Sequence, residues 1–232
     1  MSKKLLFRLS IGFNIVFVLF IVGKRVYFYA SGLQYFRNDA KIERVATAKS
    51  EKDQVDFFKA MPHDTSDIVM LGTSLTANFL WSEMFKNLNI KNRGIKGNTM
   101  VDMIARLSEI TDGKPSELFI EAGVNDLGTD SINAVFHNLK TIITTVQSKS
   151  HRTKIFVQSV LPFDNNYTSK IEAYNSLVQQ YCASNNIHFI NLYPYFLGDK
   201  ALKKELTIDG IHLNNQGYSI WVRILSPYLK AS

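Results

Sequence analysis

A strand that is apolar at every position leaves no face for water, so it can only lie inside a sheet that is covered on both sides. Ile68 to Leu71 (IVML) is such a run, and Gly72, Thr73, Ser74, Leu75 and Thr76 close it with mostly small turn residues. Three later runs repeat the arrangement: Glu117 to Ala122 (ELFIEA), Lys154 to Val160 (KIFVQSV) and Ile187 to Asn191 (IHFIN), with a weaker one over Leu88 to Asn92. Helical character fills the intervals, over Ala77 to Asn87, from near Thr99, over Ser131 to Ser148 and Ser169 to Ala183, and finally over Asn215 to Tyr228. Short buried strands alternating with helices are right-handed βαβ units. The expectation is an α/β fold: a three-layer α/β/α sandwich on a five-stranded parallel sheet. Open sheets of this kind bind ligands at the carboxyl ends of their strands, which is where Ser74 stands.

The N-terminus reads differently. Lys3, Lys4 and Arg8 precede Leu9 to Gly23, a segment of Ile, Val, Phe and Leu broken by Ser10, Gly12 and Asn14, and Lys24 and Arg25 close it. Counted from Leu5 the span approaches the roughly 20 residues that cross a bilayer, with Tyr27, Phe28 and Tyr29 as an aromatic belt. No A-x-A-like cleavage site follows, so an uncleaved membrane anchor is expected over 1–30, the competing readings being a cleaved signal that leaves a secreted body and a buried helix. Basic residues at both ends give only a weak preference for a body outside the cytoplasm. Residues 31–65 read as a helical stalk or a helix packed on the body, and 66–232 as the catalytic domain.

Charge excludes a nucleic-acid footprint. The net charge is +7, but residues 1–40 carry six Lys or Arg and one Asp, leaving 21 minus 19, or +2, for the rest. The single Cys182 can form no internal disulfide, and the five histidines (His63, His137, His151, His188, His212) are scattered without zinc-ligand spacing. No metal and no cofactor is expected, and the oligomeric state is open.

Chemistry gathers at the strand ends. NRGIKGNT (residues 92 to 99) follows the second run, its Gly94 and Gly97 implying a tight turn with accessible N–H groups. GVND (Gly123 to Asp126) follows the third, and TIDGIHLNNQG (residues 207 to 217) stands before the last helix, with Asp209 and His212 close enough for the carboxylate to accept from one ring nitrogen. Taken together, in this order, GTSLT, NRGIKGNT, GVND and DGIHL resemble the SGNH, or GDSL-like, hydrolase family over about residues 66 to 230. The resemblance implies a flavodoxin-like sheet, Ser74 as nucleophile, His212 as base and Asp209 as its orienter. It also implies an oxyanion hole from the Ser74 N–H, the Gly97 N–H and the Asn125 side chain. Thr73 stands where the family usually has Asp, which bears on substrate preference, and GTSLT is not the G-x-S-x-G elbow of α/β-hydrolases.

The residue types suit that chemistry on their own. A serine hydroxyl needs a base within hydrogen-bond reach, and the developing oxyanion needs preorganised donors. Gly94 and Asp126 read as structural, and Asn92, Arg93 and Asn98 are within possible reach of the site. Phe163 and Tyr167, in the polar loop 161–168, are expected with Thr73 to contact substrate. The expected activity is a serine esterase using an acyl-enzyme to cleave a short acyl ester, such as acetyl on a carbohydrate, or a lysophospholipid. The rival readings are an O-acyltransferase acting on a cell-envelope polysaccharide and a binding module that kept the fold.

Overall fold

The computed structural model describes residues 50–229, and chain contacts divide the protein into a unit ending at Asp53 and one beginning at Gln54. The expected anchor over 1–30 and most of the expected stalk lie outside the described residues. Among the described residues no helix is long and apolar enough to cross a membrane.

Helix α1 (residues 50–60) enters the larger unit, where Arg93 stacks over the Phe58 ring at 4.6 Å and donates to the Met61 carbonyl. Strand β1 (Ile68–Gly72) follows, buried at all five positions as its composition requires. The chain continues through α2 (Ser74–Ala77), α3 (Trp81–Phe85), β2 (Ile90–Gly94), α4 (Met100–Ala105), α5 (Ser108–Thr111) and β3 (Glu117–Ile120). Then come α6 (Val124–Leu127), α7 (Ile132–Lys149), β4 (Lys154–Gln158), α8 (Thr168–Ser184), β5 (His188–Ile190), α9 (Tyr193–Phe196) and α10 (Asn215–Leu229).

All five strands are parallel, in the order β2-β1-β3-β4-β5. The chain therefore steps one way from β1 to β2 and the other way afterwards, creating a switch point between β1 and β3. Right-handed crossovers then put α2 and α3 on one face and α4, α7 and α8 on the other. Packing agrees: α7 lies against α4 and α8, while α10 returns to α3 through an edge-on Trp81–Trp221 pair at 5.2 Å. Helix α7 shows why such a segment is helical: Val135, Leu139, Ile142, Ile143 and Val146 fall on one stripe and are all buried. Cys182 is buried in α8, and burial pushes its thiol up to about 11, so it packs as a small hydrophobe.

Two local expectations are corrected. Ala77 to Asn87 is not one helix, because the Asn92 amide donates to the Thr76 and Phe79 carbonyls and ends α2 after a single turn. The second strand lies two residues later than Leu88 to Asn92, with Gly72 paired to Gly94 at the sheet's carboxyl edge. Gly94 cannot be replaced there, since a Cβ would sit 2.3 Å from the Ala77 nitrogen.

Candidate active site

The residues after β1 place Ser74 at the first position of α2. Thr73 is the N-cap, its hydroxyl accepting from the Leu75 N–H at 3.3 Å, so the Ser74 side chain is free of the capping role. Its Oγ instead lies 2.9 Å from Nε2 of His212, 138 residues away. The other ring nitrogen, Nδ1, is 2.7 Å from Asp209 Oδ2. Asp209 Oδ1 accepts from the backbone N–H groups of Ile211 and His212 at 3.0 and 2.8 Å, a local turn that fixes the carboxylate on its own histidine. The Thr207–Leu213 bridge closes this segment, and Gly210 occupies its left-handed position at φ 91°. Hydrogen bonding first from the His212 ring and then from the two backbone groups holds the Asp209 carboxyl well below the usual carboxylate range, although it stays half exposed. With that carboxylate accepting from Nδ1–H, Nε2 carries the lone pair that faces the Ser74 hydroxyl.

The donors expected around an oxyanion come from neighbouring strand ends. The Ile95 N–H donates to the Gly72 carbonyl at 3.0 Å, tying the loop after β2 to the turn that carries Ser74. Gly97 lies in that loop at φ 78°, a conformation suited to glycine. Asn125 is the second residue of α6, after β3, and spends one amide hydrogen on the Asn98 carbonyl at 2.9 Å, next to Gly97. Asp126 Oδ1 accepts from the Met100 N–H at 2.9 Å, and burial raises its carboxyl. These two links bring the loops after β2 and β3 together. A serine, a histidine lone pair, a fixed carboxylate and nearby donors can together carry out acyl transfer.

The GDSL-like lipase/acylhydrolase family model matches residues 70–220. The chain belongs to that family. It is accordingly an ester-bond hydrolase of the SGNH type. It is 26% identical to the bovine (Bos taurus) platelet-activating factor acetylhydrolase IB subunit alpha1, over 70% of this chain and 75% of that one. A GDSL-like lipase structure from Bacteroides thetaiotaomicron is similar at a TM-score of 0.70 and 23% identity, covering 78% of this chain and 97% of that one. A catalytic variant of an acetylxylan esterase from Geobacillus stearothermophilus is similar at a TM-score of 0.60 and 16% identity, covering 73% and 96%.

In this GDSL-like hydrolase Thr73 is not a substrate contact. It is fully buried, and both its N–H and its hydroxyl donate to Glu121 Oε2, at 3.0 and 2.9 Å. Glu121, at the end of β3, also accepts from the Thr76 hydroxyl at 3.0 Å, so one carboxylate grips both sides of the turn that carries Ser74. Burial raises its pKa in spite of these bonds. A carboxylate thus stands beside position 73 even though the residue there is threonine. Sequence reasoning missed Glu121, and the available signal was a charged residue inside an otherwise apolar strand end, which must find partners once buried. Glu121→Ala leaves three buried donors without this acceptor, at about 1–3 kcal/mol each. A melting temperature lowered by several degrees in a thermal denaturation scan is the expected result, and an unchanged one would make the three bonds dispensable.

The other expected residues are placed as follows. Asn92 caps α2, Arg93 joins a buried pair with Glu109 at 3.4 Å, and Asn98 Oδ1 accepts from Arg106 Nε at 2.8 Å. All three serve the scaffold. Phe163 and Tyr167 line a depression shared with Asp209, Gly210 and Ile211, and Tyr167 donates to the Gly128 carbonyl at 3.2 Å. His212 instead forms a wall of a separate cleft of about 1360 Å³.

Proposed function

We propose that the protein is a serine esterase that removes a short acyl group through an acyl-enzyme, with Ser74 as nucleophile, His212 as general base and Asp209 as its orienter. The observation that carries this reading is the unbroken chain from Ser74 Oγ through both His212 ring nitrogens to Asp209, at 2.9 and 2.7 Å. Ser74 Oγ attacks the ester carbonyl while Nε2 takes its proton. The tetrahedral oxyanion is met by the Ser74 and Gly97 N–H groups and the second Asn125 amide hydrogen. As it collapses, Nε2 returns the proton to the departing alcohol, and water repeats the sequence on the acyl-enzyme to release the acid. A sugar hydroxyl in place of water in the second half would give the O-acyltransferase reading.

A short acyl group is supported by the acetylhydrolase and acetylxylan esterase among the similar proteins, and residues 1–30 are proposed to hold the body at the outer membrane face. The test is a fluorophosphonate probe on the full chain, followed by acid release from acetylated sugars and simple acyl esters with and without a sugar acceptor. Labelling at Ser74 with acid release supports the esterase. Product only with an acceptor moves the reading to transfer, and no labelling removes both. Membrane fractionation of the labelled chain tests the anchor, which a soluble intact chain would overturn.

Asn125→Ala tests the proposed oxyanion donor. A donor aimed at charge present only in the transition state should lower kcat by about 10² to 10³ with little change in KM. A raised KM with kcat untouched would make Asn125 a ground-state substrate contact.

A further inference from the structure

A cavity of about 510 Å³ opens at the other edge of the sheet, between the turn before β3 and the turn that joins α7 to β4. Glu117, in its wall, is paired with Ile68, and Gly72 stands four residues further along β1, about 13 Å away. The cavity is therefore separate from the turn that carries Ser74. Its two walls are tied to each other. Thr153 Oγ1 donates to the Pro115 carbonyl at 2.6 Å and lies 2.6 Å from Ser150 Oγ, while the Lys154 N–H donates to the Ser116 carbonyl at 2.9 Å. The Ser116 N–H and hydroxyl both donate to the Asp67 carbonyl, at 2.9 and 2.8 Å. A hollow held open in this way is preformed for a ligand.

Its lining is basic. Lys114, His151, Arg152 and Lys154 surround it, and the acidic wall is Glu117, whose Oε1 lies 3.9 Å from Lys154 Nζ. Three charges minus one leave +2 around the cavity, and residues 41–232 carry +2 in all, so the rest of that stretch sums to zero. Among the described residues the side chains of Lys114, His151 and Arg152 have no hydrogen-bond or ion-pair partner. A helix C-terminus attracts cations, which accounts for His151 and Arg152 just beyond α7. It does not account for Lys114 and Lys154, which arrive from other segments. Lys114 moreover stands at φ 51°, in the left-handed region that few residues other than glycine occupy. Cations gathered around one hollow repel each other, and an anion seated among them relieves that repulsion.

We propose that this cavity binds a phosphate ester of a small polyol, as a soluble molecule or as the headgroup of an anionic lipid. Phosphate offers several oxygens to cations that come from separate segments, and the Arg152 fork can hold two of them at once. The cavity is larger than a bare ion needs, and the Thr65 and Ser150 hydroxyls line the space left for the polyol. No group of the triad takes part, so the proposal stands apart from the esterase reading.

The experiment titrates glycerol 3-phosphate into the full chain by calorimetry, in detergent and at about 0.15 M salt. The expected result is saturable binding with a Kd of about 1 mM or below. Arg152→Glu and Lys114→Gln should each weaken it by roughly tenfold or more, the loss of one charge-assisted bond. Both side chains are exposed, so the melting temperature without ligand should not change in either variant. Binding that survives both substitutions, or that glycerol without its phosphate reproduces, overturns the proposal. Flotation with phosphatidylglycerol or phosphatidylcholine vesicles separates the two sources. Wild type and variants share residues 1–30, so retention that is specific to phosphatidylglycerol and is lost in Arg152→Glu assigns the lipid headgroup. Equal retention of wild type and variant, beside calorimetric binding, assigns the soluble ester. The absence of both calorimetric binding and a difference in flotation overturns the site altogether.

Discussion

Ser74→Ala should reduce ester turnover by about 10⁶-fold, the loss that follows removal of the serine from a triad acting as a unit, and should leave the melting temperature unchanged. The second half of this expectation comes from the structure. Had Ser74 been the N-cap of α2, losing its hydroxyl would cost about 0.5–2 kcal/mol. The cap is Thr73, and among the described residues the Ser74 hydroxyl bonds His212. Kinetics with a chromogenic acetate and a thermal melt separate the two roles. Retained turnover would remove Ser74 as nucleophile, and a lost activity that tracks a lowered melting temperature would make its hydroxyl structural.

Asp209→Asn should lower kcat by up to about 10⁴-fold with the fold intact. Both oxygens of Asp209 accept from donors, one from the His212 ring and one from the Ile211 and His212 backbone groups. An asparagine can keep its oxygen on only one side. With the oxygen on the backbone pair, its NH₂ faces Nδ1, favours the tautomer protonated at Nε2, and leaves no lone pair for the Ser74 proton. The pH dependence follows from the direction of the Asp209 shift. Its folded pKa is depressed, so its hold on His212 is fully present above the unfolded carboxylate value of about 3.9 and is lost only as pH falls through the lower folded value. Any acid limb of the wild-type rate profile above about pH 4 therefore belongs to another group. A wild-type rate in Asp209→Asn would reduce the aspartate to a turn residue.

Much of this site was legible because its parts are local. Asp209 and His212 are three residues apart, and the same short spacing that suggests a contact also lets the His212 N–H bond the carboxylate. The strand-end serine follows from an apolar run closed by Gly72, and Gly97 from a turn that requires φ 78°. Helices α7, α8 and α10 came out within a residue or two of their expected limits because their buried stripes recur at 3.6-residue spacing. The short elements were less legible, since a one-turn helix such as α2 has too few positions to show a period and ended where Asn92 reached it.

The sequence by itself determined the alternation of buried strands and helices, the strand-end position of Ser74 and the pairing of Asp209 with His212, all of which are set by neighbours a few residues apart. Only the tertiary structure decided that Thr73 caps α2 and answers to Glu121, 48 residues away, and that Phe163 and Tyr167 share a depression with Asp209 while His212 walls a different cleft. Spacing along the chain encodes which residues share a helix face or a turn. Which side chain meets a buried carboxylate depends on strand order and register, and these exist only once β1 and β3 lie side by side.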